Sequence, residues 1–193
     1  MNIQKDENFE AIVFNGIQDI KDIKSKSFYN CTFNDFDFTE SNFSFSLFSD
    51  CVFNDSNLSL AKFAESKIHS AKFNRCKILG VDFTQISKLI FKIGFNESQI
   101  TKCTFTSLNM VESKFIDCTI HQSDFYRAKL AKSDFSGSDL NASVFEDTDL
   151  TSTDFSNAKN YSINQLNNKV KNAQFTMPEA IYLLDALGIK IIF

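Results

Sequence analysis

The chain has 193 residues, a formal net charge of −4 at pH 7, and 23 phenylalanines but no tryptophan. This length suits a single domain with a continuous core. The slight acidic excess argues against direct binding of nucleic acid or of an anionic membrane, because such proteins need a basic excess or a basic stripe. The charged N-terminus lacks the apolar run of a signal peptide, and no apolar segment is long enough to cross a membrane. We therefore expect a cytoplasmic protein.

Residues 1–22 are the first predicted element, an N-terminal cap. Apolar residues such as Phe9, Phe14 and Ile17 are mixed with charged residues there. The repeats that follow need such a cover, because the open end of a solenoid exposes unpaired backbone and a slice of the core. We interpret residues 1–22 as the segment that covers the first coil.

A five-residue repeat then occupies residues 23–175. An apolar centre recurs at every fifth position from Phe28 to Phe83 and from Phe95 to Phe155, and 16 of these 25 centres are Phe. The residue two positions before the centre is small or Val in 21 of the 25 units. A period of five drifts around a helix and changes faces along a strand, so neither element buries it on one side. A chain that turns a corner every five residues does, and four sides make a coil of about twenty residues.

The order of the centres predicts how the interior is filled. From Phe53 onward, Phe alternates with Leu, Ile or Met, so opposite sides carry the same kind of residue. Two columns of stacked rings and two aliphatic columns then fill the axis and leave no room for a ligand. His69 and His121 both follow a centre and belong to no recognisable catalytic motif. We therefore predict no enzyme activity, no cofactor and no metal site.

The repeat slips by two residues between Phe83 and Phe95. Residues 84–94 contain more apolar residues than the pattern needs, which predicts a small bulge or a short loop. One interpretation is a tolerated insertion that kinks the axis. The other is a loop that recognises a partner, since loops on rigid scaffolds often carry function.

Cysteines and lysines follow the same repeat. All five cysteines lie two positions before a centre, which predicts buried, reduced and inert thiols rather than a disulfide framework or a metal site. They are Cys31, Cys51, Cys76, Cys103 and Cys118. Four lysines, Lys62, Lys67, Lys72 and Lys77, each precede a centre on successive sides. This arrangement rings one coil with charge, which favours solvation over the gripping of a phosphate backbone.

Several units resemble the repeats of the pentapeptide-repeat family. They include Ser133-Asp134-Phe135-Ser136-Gly137, Ser138-Asp139-Leu140-Asn141-Ala142 and Ala61-Lys62-Phe63. The resemblance covers about residues 23–175. It implies an all-β fold, a right-handed quadrilateral β-helix.

The C-terminal segment, residues 176–193, is predicted to form a short helix and a closing strand that cap the last coil. Thr176-Met177-Pro178-Glu179 is typical of a capping box, and Gly188 of a helix stop. The apolar residues that follow exceed what one capped end needs, which predicts a homodimer interface. Its residues are Leu183, Leu184, Leu187, Ile189, Ile191 and Phe193.

The end of the chain also resembles the Qnr and microcin-immunity group of the pentapeptide-repeat family. The similarity lies in Asn160-Tyr161-Ser162-Ile163-Asn164 and in Leu183-Leu184-Asp185-Ala186-Leu187-Gly188-Ile189. Members of that group are dimeric, acidic rods that resemble duplex DNA and bind type II topoisomerase, giving resistance to quinolones or immunity to a toxin. The resemblance implies a partial DNA mimic that binds DNA gyrase.

An acidic stretch supplies the candidate binding surface. Residues 134–154 contain six acidic residues and no Lys or Arg. They are Asp134, Asp139, Glu146, Asp147, Asp149 and Asp154. We expect them to face the topoisomerase, close to the dimer contact. The alternatives are an ordinary solvated repeat surface and a structural protein–protein interaction scaffold with no topoisomerase role.

Overall fold

The structure, a computed structural model, describes residues 6–16, 22–87, 92–189 and 192, without the side chains of residues 185 and 186. Within these residues the chain forms short β-strands and two 3₁₀ helices, Phe83–Gln85 and Glu179–Leu187. The strands are β1 (Asn8–Glu10), β2 (Val13–Asn15), β3 (Ser27–Tyr29), β4 (Thr32–Asn34), β5 (Leu47–Ser49), β6 (Val52–Asn54), β7 (Lys67–His69), β8 (Ala71–Asn74), β9 (Lys77–Leu79), β10 (Ile93–Asn96), β11 (Gln99–Thr101), β12 (Lys114–Ile116), β13 (Thr119–His121), β14 (Asp154–Phe155) and β15 (Gln174–Phe175).

All strand pairs are parallel and join one coil to the next. The sheets have the orders β1-β3-β5-β7, β12-β10-β8-β6-β4-β2, β13-β11-β9 and β14-β15. Phe33 pairs with Phe53 and Phe53 with Phe73, so one coil takes twenty residues. The predicted all-β quadrilateral β-helix is confirmed, with about eight turns.

The four sides are named here by their centres. The first side contains Phe28 and Phe48, the second Phe33 and Phe53, the third Phe38 and Leu58, and the fourth Phe43 and Phe63. The fourth side has only isolated β-bridges among the described residues.

Nearly every described corner is turned by a residue in the left-handed helical region. Among the described residues, 26 non-glycine residues have positive φ, and nearly all of them lie two positions after a centre. Asp50, Asp55 and Asn30 are examples, with φ of 54°, 51° and 50°. Asp and Asn tolerate this conformation better than other non-glycine residues, which explains why short polar residues recur at corners.

Stacked phenylalanines form the axis, as predicted. On the second side, rings separated by 4.6–5.3 Å run through eight consecutive stacked pairs. The rings belong to Phe14, Phe33, Phe53, Phe73, Phe95, Phe115, Phe135, Phe155 and Phe175. The opposite, fourth side has a second column from Phe43 to Phe145, with centroids 4.9–5.7 Å apart. Leu, Ile and Met fill most of the other two sides.

The N-terminal segment joins the β-helix. β1 pairs with β3 so that Phe9 faces Phe28, and the two rings stack at 4.9 Å. β2 pairs with β4 in the same way and places Phe14 on Phe33. Strand pairing therefore begins at Asn8 rather than at residue 23, the start of the predicted repeat. Within the predicted cap, residues 1–5 and 17–21 lie outside the description.

The slip appears as a change in register. Phe73 pairs with Phe95 and Ile78 with Ile100, a step of 22 residues instead of twenty. The preceding turn is the short 3₁₀ helix Phe83–Gln85, for which the Asp82 carboxylate accepts the Thr84 N–H. Residues 88–91 of the predicted bulge or loop lie outside the description.

The C-terminal helix is of the 3₁₀ type and covers Glu179–Leu187. Gly188, with φ of 68°, follows it, as the sequence predicts for a helix stop. The predicted closing strand, residues 189–193, is described only at Ile189 and Ile192, which are not in strand conformation. Residues 190, 191 and 193 lie outside the description.

Candidate protein-binding surface

The aspartates that precede a centre have a structural task. The Oδ1 atom of Asp134 accepts the N–H of Ser136 at 2.9 Å, and that of Asp154 accepts the N–H of Ser156 at 2.8 Å. Such a contact closes a local turn and satisfies a backbone donor. Asn42 makes the same contact with the Ser44 N–H at 3.0 Å. An amide can therefore replace the carboxylate in this structural role.

Two of the predicted acidic residues form a continuous acidic strip. Asp134 and Asp154 occupy successive coils on the second side and are joined by a parallel bridge. Asp117 lies at the adjacent corner, where a Cβ atom on Gly137 would be 3.1 Å from its Cγ. We call Asp117, Asp134 and Asp154 the acidic face. Asp117 was not predicted, although its position twenty residues before Gly137 is visible in the sequence.

The structure separates the other four predicted acidic residues from this face. Asp139 lies on the third side and Asp149 on the first. Glu146 follows the centre of the fourth side, and Asp147 lies at the corner next to it. The six residues therefore surround the coil, and of these only Asp134 and Asp154 share a side.

Basic residues of neighbouring coils lie beside three of the separated carboxylates. His121 Nε2 lies 3.5 Å from Asp139 Oδ2, and Arg127 Nε lies 3.4 Å from Asp147 Oδ2. Asp149 lies between Lys129 and Lys169 on the first side, as shown by its bridges to both residues. Arg127 precedes Asp147 by twenty residues, and Lys129 precedes Asp149 by twenty. The length of one coil therefore predicts both contacts from the sequence.

These neighbours change the acidity of two carboxyl groups. Burial opposes ionisation of Asp139, but hydrogen bonds from the Asn160 amide and the Asn141 N–H outweigh it and hold its pKa below the ordinary value. Burial likewise opposes ionisation of Asp149. The hydroxyl and N–H of Thr151, together with nearby lysines, lower its pKa overall. Both groups are therefore charged and locally compensated at neutral pH.

An asparagine ladder runs along the other end of the second side. Asn34 Nδ2 donates to Asn15 Oδ1 at 2.8 Å, Asn54 to Asn34 at 2.8 Å and Asn74 to Asn54 at 2.9 Å. Each amide bridges two coils, so the ladder strengthens the stack without adding charge. The signal was an Asn directly after a phenylalanine centre, repeated 19 residues after Asn15 and then every twenty residues.

The C-terminal segment exposes apolar side chains. Of the predicted dimer residues, Leu187 and Ile189 are exposed, Leu184 is half-buried, and Leu183 packs against the core of its own chain. Ile191 and Phe193 lie outside the described residues. The structure adds three exposed residues that were not predicted, Met177, Tyr182 and Ile192. Several apolar side chains of this segment are therefore exposed among the described residues.

The five cysteines are buried and unpaired. Burial raises the pKa of Cys51 and Cys118 to about 12 and that of Cys76 and Cys103 to about 11. Thiolate, the reactive form, is therefore scarce at neutral pH. Among the described residues, no group of His, Cys, Asp and Glu side chains is arranged to hold a metal ion, and no helix could span a membrane.

Comparisons with known proteins identify the repeats. Residues 41–78 match the family model for pentapeptide repeats (8 copies), and residues 87–155 match the model for a pentapeptide repeat region. No curated protein sequence matches the chain.

Solved structures with the same fold include three of QnrB1, described as a plasmid-mediated fluoroquinolone resistance protein. Two trypsin-treated forms superpose with TM-scores of 0.64 and 0.65, over 96% of this chain and 100% and 98% of theirs. The full-length form superposes with a TM-score of 0.55, over 94% of this chain and 100% of its own. Each is 17% identical in sequence, so the similarity concerns the fold alone.

Proposed function

Because this chain belongs to the pentapeptide-repeat family, we propose that it is a non-enzymatic protein-binding rod that partly mimics duplex DNA. Its partner in this proposal is a bacterial type II topoisomerase, DNA gyrase, which it protects from a quinolone or a toxin. The fold of QnrB1, a fluoroquinolone resistance protein, supports the proposal because it matches this chain over nearly its whole length. The similarity of the C-terminal residues to the Qnr and microcin-immunity group supports it further.

The acidic face is the observation that carries the proposal. Asp117, Asp134 and Asp154 belong to three successive coils, which places three charges within about 10 Å along the axis. One strand of duplex DNA carries about one charge per 3.4 Å, and both strands together about one per 1.7 Å. The acidic face therefore matches the charge density of one DNA strand. Asp134 has one lysine beside it, Lys114 of the preceding coil, whereas Asp147 is ion-paired with Arg127 and Asp149 lies between two lysines.

Dimerisation would double this surface. The exposed apolar residues of the C-terminal segment lie one coil beyond Asp154, since β15 pairs with β14. A two-fold contact there would bring two acidic faces together near the middle of a longer rod. Such an arrangement suits a partner that itself has two-fold symmetry. Encounter would be steered by charge and weakened by salt.

The dimer is tested by removing the segment. Light scattering should show the full-length chain as a dimer at micromolar concentration. A chain that ends at residue 176 should be a monomer or should aggregate, because the exposed apolar residues lose their partner or the last coil loses its cover. A full-length chain that scatters as a monomer at this concentration would contradict the dimer.

Protection of gyrase is tested in a supercoiling assay with and without a fluoroquinolone. The test variant carries Asp117→Asn, Asp134→Asn and Asp154→Asn. It should fold normally, because Asn42 and Asn57 already form the turn contact that Asp134 and Asp154 make. We expect this variant to lose protection while the unmodified chain retains it.

A matched control changes the net charge by the same amount elsewhere. It carries Asp139→Asn, Asp147→Asn and Asp149→Asn, three carboxylates that lie outside the acidic face. We expect it to protect gyrase as well as the unmodified chain does. If both variants behave alike, net charge rather than the acidic face matters. If the unmodified chain neither binds gyrase at low salt nor alters supercoiling, the topoisomerase role is refuted.

The alternative is a protein–protein interaction scaffold. Phe45 and Leu60 favour it, because both are large apolar residues that occupy corners, with exposed fractions of 60% and 47% and φ of 59° and 58°. The corner conformation disfavours bulky residues, and neither side chain is needed in the core. If gyrase is unaffected by the chain, these corners are the first surface to test against other proteins.

A further inference from the structure

A cleft opens on the second side where the register slips. It has a volume of about 350 Å³ and is lined by residues of β8, β10 and β12 together with the corner that precedes β10. Three lysines, Lys72, Lys92 and Lys114, lie around it. At its floor is Gly94, which pairs with Lys72 on one side and with Lys114 on the other. The cleft adjoins the acidic face, because Lys114 bridges to Asp134 of the next coil, but it is remote from the C-terminal segment.

Gly94 has no evident folding role, unlike the other glycines. Gly80, Gly137 and Gly188 have positive φ, and a side chain on Gly16 would collide with the Phe36 ring. Gly94 lies in the regular strand β10, and a Cβ atom there would make only an ordinary contact of 3.9 Å with Lys114 Cβ. Glycine weakens a strand and often marks a place where a ligand approaches the backbone.

Register explains why the lysines gather here. The residue before the centre on the second side is Val52, Lys72, Gly94 and Lys114 in successive coils. Gly94 thus leaves a gap between two lysines whose backbones are about 9.6 Å apart, twice the strand spacing. Lys92 approaches from the neighbouring corner. With its neighbours in sequence, Lys62, Lys67 and Lys77, Lys72 forms a ring around one coil. With Lys92 and Lys114 of the next two coils, it lines this cleft.

The charge of the cleft is unbalanced. None of the three lysines has an ion-pair partner among the described residues. The carboxylate that lines the cleft, Glu112, has Lys132 Nζ at 4.0 Å. The amide of Asn74, at the edge of the cleft, already donates to Asn54. Three lysines therefore line an open volume whose own carboxylate, Glu112, is partly compensated, while Asp134 of the next coil lies beside Lys114.

We propose that this cleft binds a phosphate group that enters over Gly94. Lysine recognises phosphate as a point charge and needs no fixed fork geometry, so three flexible stems can converge on one compact anion. The volume is at the small end of the range of ligand pockets and suits a pyrophosphate or the phosphate end of a nucleotide. The source is either a free phosphorylated small molecule or the backbone of a nucleic acid, and both present the same chemistry.

Titration calorimetry of the full chain at low ionic strength tests the proposal. The probes are inorganic phosphate, pyrophosphate, ATP and a short DNA duplex. Pyrophosphate should bind more tightly than phosphate because it carries more charge. Replacing Lys72, Lys92 or Lys114 singly by Gln should weaken pyrophosphate binding about two- to fivefold, as expected for an exposed charge pair. The triple replacement should abolish it.

Gly94→Val is the most specific variant. It retains every lysine and fills the gap, and Val is favoured in strands, so the melting temperature should stay the same or rise. Pyrophosphate binding should be lost. Lys77→Gln is the matched control, because Lys77 is exposed in the same coil as Lys72 but lies on the third side. It should bind pyrophosphate as the unmodified chain does.

The outcomes distinguish a small phosphorylated ligand from a nucleic acid backbone, and both from the absence of a phosphate site. A nucleic acid backbone is indicated if the duplex competes with pyrophosphate and if duplex binding depends less on salt in the triple lysine variant. Binding of pyrophosphate or ATP without competition by the duplex indicates a small molecule. The proposal is overturned if pyrophosphate does not bind, or if it binds equally to the triple lysine variant. If Gly94→Val does not fold, the lysine variants decide alone.

Discussion

Replacing Phe115 by Ala should destabilise the β-helix severely. Phe115 is fully buried and stacks on Phe95 at 5.2 Å and on Phe135 at 4.6 Å. Its edge also contacts Phe105 and Phe125 on the opposite column, at 5.9 and 5.7 Å. Because rings above, below and beside it are themselves fixed by stacking, the space that Phe115 leaves cannot collapse.

The magnitude follows from these contacts. Burial of a large apolar side chain is worth about 1.5 to 3 kcal/mol. Each aromatic pair adds about 0.5 to 1.5 kcal/mol beyond its area, and Phe115 makes four. These terms sum to about 3.5 to 9 kcal/mol. Because measured Phe→Ala substitutions in cores cost about 3 to 5 kcal/mol, we expect a loss of about 4 to 5 kcal/mol.

Phe45→Ala is the matched control for this substitution. Phe45 is 60% exposed at a corner, so its loss should change stability by less than about 0.5 kcal/mol. Urea denaturation followed by far-UV circular dichroism measures both variants, and the shift of the midpoint at constant slope gives the difference. A loss below about 1 kcal/mol for Phe115→Ala, or equal losses for both variants, would refute the stacked interior.

Other predictions concern thiols, amides and acid pH. The thiols of Cys51 and Cys118, whose pKa is raised to about 12, should react with Ellman's reagent only after denaturation, and rapid reaction of the native chain would contradict their burial. Asn54→Ala should cost about 1 to 2 kcal/mol in urea denaturation because it removes two ladder hydrogen bonds, and an unchanged midpoint would show that the ladder contributes nothing. Asp139 and Asp149 have lowered pKa values in the fold, so their contribution is present above about pH 4 and is lost as the pH falls through the folded-state pKa. The urea midpoint should fall less steeply with acid when both are Asn, whereas an unchanged slope would contradict the shifts.

The interior could be predicted from the sequence because its apolar residues recur every five residues, a spacing that no helix or strand buries on one side. A Phe at every tenth position from Phe53 onward requires two opposite ring columns once the coil has four sides, and the structure has them. The cysteines could be predicted as buried in the same way, because all five lie two positions before a centre, where the small residues are. A change of two residues in the spacing predicted the register shift between Phe73 and Phe95.

The surface was harder to predict because neighbours on it are twenty residues apart. The charged residues of 134–154 are all acidic when read along the chain, but Arg127 and Lys129 of the previous coil face Asp147 and Asp149. The cleft at Gly94 is invisible for the same reason, since its lysines come from three coils. Reading the sequence in columns separated by twenty residues, or by 22 across the slip, recovers both features.

The two chain ends departed from the period. Phe9 and Phe14 are five residues apart, but Phe9 pairs with Phe28 at a spacing of 19, which hides the two strands in an irregular segment. At the other end, the capping-box residues and Gly188 gave the position of a helix but not its type. The 3₁₀ form depends on local hydrogen bonds, such as that from the Ile181 N–H to the Pro178 carbonyl, which helix signals in a sequence do not distinguish.

Competition with DNA tests the proposed function most directly. Fluorescence anisotropy of a labelled DNA duplex bound to gyrase should fall as the unmodified chain is added at low salt, because a DNA mimic and DNA occupy the same site. The variant with Asp117→Asn, Asp134→Asn and Asp154→Asn should displace the duplex only at much higher concentration, and added salt should weaken displacement by the unmodified chain. DNA mimicry would be contradicted if the anisotropy stays unchanged at saturating concentrations of the unmodified chain, whether or not the chain binds gyrase.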